Sequence, residues 1–212
     1  CAAPAPAPRT KSIVTFTIGT HLCFINCCSL QWPDETGIHM GDNFWMGHTR
    51  LSIVSPEHGI QPLKCKDTVK PAYAVVNGEI YNHLAIREEL NIDPEVFSTE
   101  SDSEIVIHGY NKLGLDIADK LIGMFAFVLV TDGGKDVLAC RDKIGIKPLY
   151  MGKTKDGLEY VFASELKCIV DQCHAADMML IPAGHYWTRK TGMFPLHTQF
   201  GSFLVCYYDV MS

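Results

Sequence analysis

The chain's 212 residues, 47% of them hydrophobic, suffice for one large domain with a substantial core. A net charge of −6, with no basic run or stripe, excludes an electrostatic nucleic-acid footprint and favours a small-molecule partner. Nine cysteines, an odd number scattered along the sequence, exclude a complete disulfide framework and fit a reducing cytoplasm.

Residues 1–10, built on Pro and Ala, are expected to form an extended polyproline-like tether. Residues 12–30 follow Arg9-Thr-Lys11 in the outline of a signal segment. Several Thr residues, His21 and Asn26 interrupt them, and the apolar run falls short of the roughly 18 residues a membrane span needs, so no membrane association is expected. Val14, Phe16 and Ile18 alternate with Thr15 and Thr17, which predicts a strand. Further strands are expected over 48–54, closed by Ser55-Pro-Glu-His-Gly59, and over 72–76. The second should stop at Asn77-Gly78, a pair that favours positive φ and a sharp reversal.

A short helix is predicted over 83–90. Ser101-Asp-Ser-Glu104 has the spacing of a capping box and opens a helix through Ile105, Val106, Tyr110 and Leu113, which Gly114 can close; another short helix follows over 117–122. Residues 124–130 are an unbroken apolar run, so this strand should be buried on both faces. Asp132-Gly-Gly134 turns it into a strand over 136–141, and Asp156-Gly157 joins strands over 148–153 and 158–163. Ser164 is expected to cap a short helix through Val170, and a late strand covers 184–188. Strands joined by hairpins, with helices grouped between them, predict an α+β chain of antiparallel sheets covered by helices. The residues after Gly192 read as unanchored apolar sequence.

The segment around Asn77 concentrates chemistry. Asn77 supplies an amide, Gly78 a backbone N–H without a neighbouring Cβ, and Glu79 a carboxylate, so two donors and a charge can converge on a small polar substrate. An ordinary hairpin turn would account for Asn-Gly alone. The longer string Asn77-Gly-Glu-Ile-Tyr-Asn-His83 does more. With Arg50-Leu-Ser-Ile-Val54 ahead of it and Thr99-Glu-Ser-Asp-Ser-Glu104 behind, it resembles the glutamine site of class II glutamine amidotransferases, most closely the N-terminal glutaminase domain of asparagine synthetases. Gly123-Met-Phe-Ala-Phe-Val128, Ala139-Cys-Arg-Asp-Lys-Ile-Gly-Ile-Lys-Pro-Leu-Tyr150, Phe162-Ala-Ser-Glu-Leu-Lys167 and Ile181-Pro-Ala-Gly-His185 extend the likeness in the expected order, over about 33–187.

The resemblance implies a four-layer αββα sandwich of two antiparallel sheets, the N-terminal-nucleophile (Ntn) hydrolase type. It also implies glutamine hydrolysis to glutamate and ammonia through a thioester on Cys1, whose own α-amine can take the thiol proton. By the same resemblance Arg50, followed by Leu51, clamps the substrate α-carboxylate, Asn77 and Gly78 form the oxyanion hole, and Glu79 and Asp102 hold the α-ammonium group. Arg141-Asp142 is expected to shape a loop without chemistry. No metal or cofactor is expected in this domain. Cys23, Cys27 and Cys28, and Cys168, Cys173 and His174, lack paired zinc-ligand spacing. ATP and Mg belong with a synthetase domain, whose Ser-Gly-Gly-x-Asp-Ser loop is absent here. The expected organisation is a divergent segment 1–31, an amidotransferase domain 32–190 and a divergent tail 191–212. Expected partners are glutamine and a synthetase domain or subunit that uses the ammonia to make asparagine from aspartate; a homodimer is one possible assembly.

Three departures accompany the likeness. Ala-Ala-Pro-Ala-Pro follows Cys1 where an apolar strand is usual, and its prolines remove backbone donors. Leu30-Gln-Trp-Pro-Asp34 keeps only Pro33 and Asp34 of a His-Arg-Gly-Pro-Asp string, and Glu100 stands where Gly is common. They keep open an alternative, a non-catalytic glutamine-binding or regulatory module that retains the fold. A membrane-anchored interaction protein is the weakest reading.

Overall fold

The computed structural model describes residues 12–18, 35–50, 60–65 and 71–197. Twelve strands are described: β1 Ser12–Ile18, β2 Glu35–Met40, β3 Trp45–Arg50, β4 Leu63–Lys64, β5 Ala72–Ile80, β6 Gly123–Thr131, β7 Asp136–Arg141, β8 Tyr150–Lys153, β9 Tyr160–Ala163, β10 Met179–Leu180, β11 His185–Thr188 and β12 Gly192–Pro195. They form two sheets, ordered β10-β8-β9-β1-β3-β2 and β12-β11-β7-β6-β5-β4. All pairings are antiparallel. The expected α+β architecture of two antiparallel sheets is what the chain forms.

The apolar run of β6 explains the layering. Phe125, Phe127 and Leu129 pack with Ile86 of α1 (His83–Glu89), Ile105, Val106 and Ile107 of α2 (Ile105–Leu113) and Ile117 and Ala118 of α3 (Ile117–Lys120). The alternate residues Ala126, Val128 and Val130 pack instead with Met46 of β3 and Phe162 of β9, in the other sheet. A period of two thus divides one continuous hydrophobic string between a helix-facing core and an inter-sheet core. Each fully buried Phe here contributes roughly 2–3 kcal/mol of transfer free energy. On the outer face of the first sheet, Val161 and Ala163 pack under Cys168, Ile169 and Cys173. That cover is a 3-10 turn, Leu166–Cys168. No longer helix covers this face among the described residues.

Three local expectations are corrected. The strand over 72–76 does not stop at Asn77-Gly78, because β5 runs on to Ile80 in unbroken register with β6, Asn77 opposite Ala126 and Gly78 opposite Phe125. The local turn preference of Asn-Gly yields to a full row of cross-strand pairs. The helix expected after Ser164 is the short 3-10 turn, with Glu165 before it and no side-chain cap bond. The sequence after Gly192 is anchored at its start: β12 pairs with β11, Leu196 is buried in the helix-facing core, and His197 contacts Asp119 through both its N–H and its Nδ1.

Candidate functional site

β5 carries the candidate site on its unpaired edge. β4 covers only Tyr73 and Ala74, so among the described residues the later part of β5 has a strand on one side alone. Side chains supply the missing partners. Gln61 behaves as a one-residue strand, accepting from Val76 N–H at 2.6 Å through Oε1 and donating Nε2 to Val76 C=O at 3.0 Å. Asp102 Oδ2 accepts from Ile80 N–H at 2.5 Å. Both captured N–H groups leave β5 away from β6, and Gly78 stands between them in the same two-residue period.

Gly78 has φ +129°, and a Cβ there would lie 1.8 Å from Met124 C=O. Only glycine fits this close approach of two strands. Asn77, 6% exposed, shares with Val75 the face turned to the first sheet, and β5 packs against β1 and β3 on that face. Glu79 is exposed. Arg50 ends β3, paired with Ser12 and Glu35. The structure describes only its strand position. Cys1 and Leu51 lie outside the described residues. The structure therefore places Asn77, Gly78 and Glu79 in succession on β5 and Asp102 against the strand's end at Ile80, and leaves the placement of Cys1 and Leu51 undescribed.

Asp102 is held by a loop wound around one buried carboxylate. Glu104, fully buried, accepts from Ser98 N–H at 2.7 Å, Thr99 N–H at 2.8 Å and Thr99 Oγ1–H at 2.7 Å, and faces His108 Nε2 at 3.3 Å. Burial alone would raise its pKa; His108 and these donors more than offset that, and the carboxyl is held below its ordinary value. The expected capping box is not formed. Ser101 Oγ accepts from Ser103 N–H within the 3-10 turn Asp102–Glu104, and Glu104 reaches back past Ser101 to the loop. The spacing identified a real local structure with different partners.

Asn82, the last Asn of the motif, has a bracing role. Its Nδ2 donates to Lys120 C=O at 2.8 Å and its Oδ1 accepts from Ile122 N–H at 2.9 Å, tying the end of β5 to the start of β6. Arg141 and Asp142 shape a loop as expected. Arg141 donates to the carbonyls of Lys147, Ile181 and Gly145, and Asp142, 1% exposed, accepts from the N–H groups of Ile144, Gly145, Ile146 and Lys147. Gln61 had no sequence signal, being one amide beside a proline.

Among the described residues no group of three His, Cys, Asp or Glu side chains could hold a metal ion, and no helix is long and apolar enough to cross a membrane.

The glutamine amidotransferase domain family matches residues 26–198. Asparagine synthetase [glutamine-hydrolyzing] 3 of Arabidopsis thaliana is 44% identical over 160 residues, covering 76% of this chain and 26% of that protein. Asparagine synthetase B [glutamine-hydrolyzing] of Escherichia coli K12 is 45% identical over 161 residues, covering 76% of this chain and 28% of that protein. The chain thus spans about a quarter of the length of the curated relatives it matches. Among solved structures, the glutamine phosphoribosylpyrophosphate amidotransferase of B. subtilis, complexed with ADP and GMP, superposes with a TM-score of 0.68 at 20% identity, over 86% of this chain and 48% of that one. The allosteric regulatory enzyme of purine biosynthesis superposes with a TM-score of 0.69, also at 20% identity, over 85% of this chain and 48% of that one. At that identity these two neighbours speak for the fold.

Proposed function

The chain belongs to the glutamine amidotransferase family, and from that premise we propose that it hydrolyses glutamine to glutamate and ammonia. One observation carries the reading. Gln61 and Asp102 occupy the N–H groups of Val76 and Ile80 on the open edge of β5, and the position between them is a glycine that no other residue can replace.

In this mechanism the Cys1 α-amine takes the thiol proton and the sulfur attacks the substrate side-chain carbonyl carbon. The Asn77 amide and the Gly78 N–H receive the developing oxyanion, and a rigid strand edge spares the cost of reorganising donors during reaction. Collapse breaks the C–N bond, the α-ammonium returns its proton to the leaving nitrogen, ammonia departs, and water then hydrolyses the thioester to glutamate. Arg50, beside Leu51, binds the substrate α-carboxylate as a planar fork. Glu79 and Asp102 bind the α-ammonium; Asp102 Oδ2 is held by the Ile80 N–H, and Oδ1, which accepts long bonds from the Ser101 and Ser103 hydroxyls at 3.5 and 3.4 Å, takes the ammonium beside them. The amidotransferase domain spans 32–190. The ammonia goes to a synthetase domain or subunit that forms asparagine from aspartate with ATP and Mg, in a cytoplasmic enzyme. The relatives' names, glutamine-hydrolysing asparagine synthetases, support that destination.

Intact-protein mass spectrometry with a glutamine-mimicking electrophile tests the reading. One adduct that disappears in Cys1→Ala is expected, together with ammonia release from glutamine. A folded protein that binds glutamine calorimetrically but forms no adduct overturns it in favour of a non-catalytic glutamine-binding module, the reading favoured by Ala-Ala-Pro after Cys1.

A further inference from the structure

A cleft of about 640 Å³ opens between α1 and the loop that ends at Asp102. That volume suits a small molecule. None of Asn77, Gly78, Glu79 or Asp102 lines it. Leu84, Pro94, Phe97 and Ile105 form apolar walls, and two opposite charges face the same space, Arg87 from α1 and Glu100 from the loop. Arg87 lies over the Phe97 ring with Cζ 4.1 Å from its centroid, which fixes the plane of the guanidinium while leaving its N–H edge for a ligand. Glu100 is exposed, and neither charge makes an ion pair among the described residues.

The loop itself is stiff. Buried Glu104 pins the backbone N–H groups of Ser98 and Thr99, so Glu100 projects from a fixed base. A fork for a carboxylate, a carboxylate for an ammonium group and apolar walls in the same cleft describe one ligand chemistry. We propose that this cleft is a binding site for a small zwitterionic amino acid with a short apolar side chain, its carboxylate on Arg87 and its ammonium on Glu100. The site is separate from the proposed glutamine site.

Isothermal titration calorimetry of the full chain with L-leucine, L-leucinamide and 4-methylpentanoate is the test. L-Leucine carries no side-chain amide, so its binding is read whether or not glutamine is hydrolysed. L-Leucine is expected to bind at least tenfold more tightly than either analogue lacking one charge. Glu100→Gln should lower L-leucine affinity to that of 4-methylpentanoate, Arg87→Ala should abolish it, and Asp102→Asn should leave it unchanged. Equal binding of L-leucine and 4-methylpentanoate overturns the zwitterion assignment, as does no binding of L-leucine at all. Loss of binding in Asp102→Asn with retention in Glu100→Gln overturns the location. Since Glu100 is exposed, its substitution leaves the fold intact, and the test stands even if Arg87→Ala fails to fold.

Discussion

Asp102 and Ile80, 22 positions apart in the chain, are joined by a 2.5 Å hydrogen bond from the Ile80 N–H to Oδ2. This bond fixes the loop carboxylate against the end of β5, so the residue has a structural task that substitution can separate from its proposed substrate-binding one. Asp102→Asn keeps an acceptor for Ile80 and removes the charge; Asp102→Ala removes both. We expect Asp102→Asn to keep nearly wild-type stability with a raised KM for glutamine, whereas Asp102→Ala loses about 2 kcal/mol as well, the scale for a charged acceptor. Denaturant midpoints and glutaminase kinetics on both variants check this. Equal stability losses would show that charge, not the acceptor, holds the strand end.

Gly78→Ala should be among the costliest single substitutions on β5. The added Cβ meets Met124 C=O at 1.8 Å while φ is +129°, so the β5–β6 pairing must open or the backbone must flip. A loss of about 3 kcal/mol is expected, measured by urea denaturation. Gly133→Ala is the control. Its φ is +62° but nothing lies within 4 Å of the new atom, so about 1 kcal/mol should suffice.

Glu104 makes stability depend on acid pH. The native carboxyl is held below its ordinary value of 4.5, so as pH falls the unfolded chain takes up its proton first. The contribution is complete above about pH 4.5 and is lost as pH drops through the lower native value. Glu104→Gln cannot titrate, so its stability should fall less steeply in that range while being lower near neutrality. Urea midpoints from pH 3 to 7 distinguish the two, and parallel curves would remove Glu104 as the cause.

How much could be read from the sequence depends on whether the determinant is local. The β6 run and the Asp132-Gly-Gly134 turn declare themselves because burial and positive φ are written into adjacent residues. Asn77-Gly78 misleads for the same reason: its turn propensity is local, whereas the pairing with Phe125 and Ala126 that holds it in a strand comes from residues nearly fifty positions away. β12 escapes notice because Met193-Phe-Pro195 does not alternate, and a proline is tolerable only because this strand is a sheet edge. The motif residues Asn77, Gly78, Glu79 and Asp102 were nameable by resemblance. Gln61, which pairs with Val76 as a strand would, carries no local signal at all.

Arg141 offers the sharpest contrast between charge and shape. Its guanidinium satisfies three carbonyls, from Lys147 at 2.7 Å, Ile181 at 2.8 Å and Gly145 at 2.6 Å, at the turn that Asp142 winds around its own carboxylate. A lysine keeps the charge but is one point with rotatable donors, and it cannot reach three acceptors spread around a planar fork. Two of the carbonyls then lack partners in a half-buried site. Arg141→Lys should therefore cost about 2–3 kcal/mol, nearly as much as Arg141→Ala. Because Asp142 N–H donates to Phe125 C=O, opposite Gly78, the loosened turn should also reduce kcat more than it raises KM for glutamine. Thermal denaturation and steady-state kinetics on both variants decide it. If Arg141→Lys behaves as wild type in both, charge alone supports the loop and the three-carbonyl geometry is incidental.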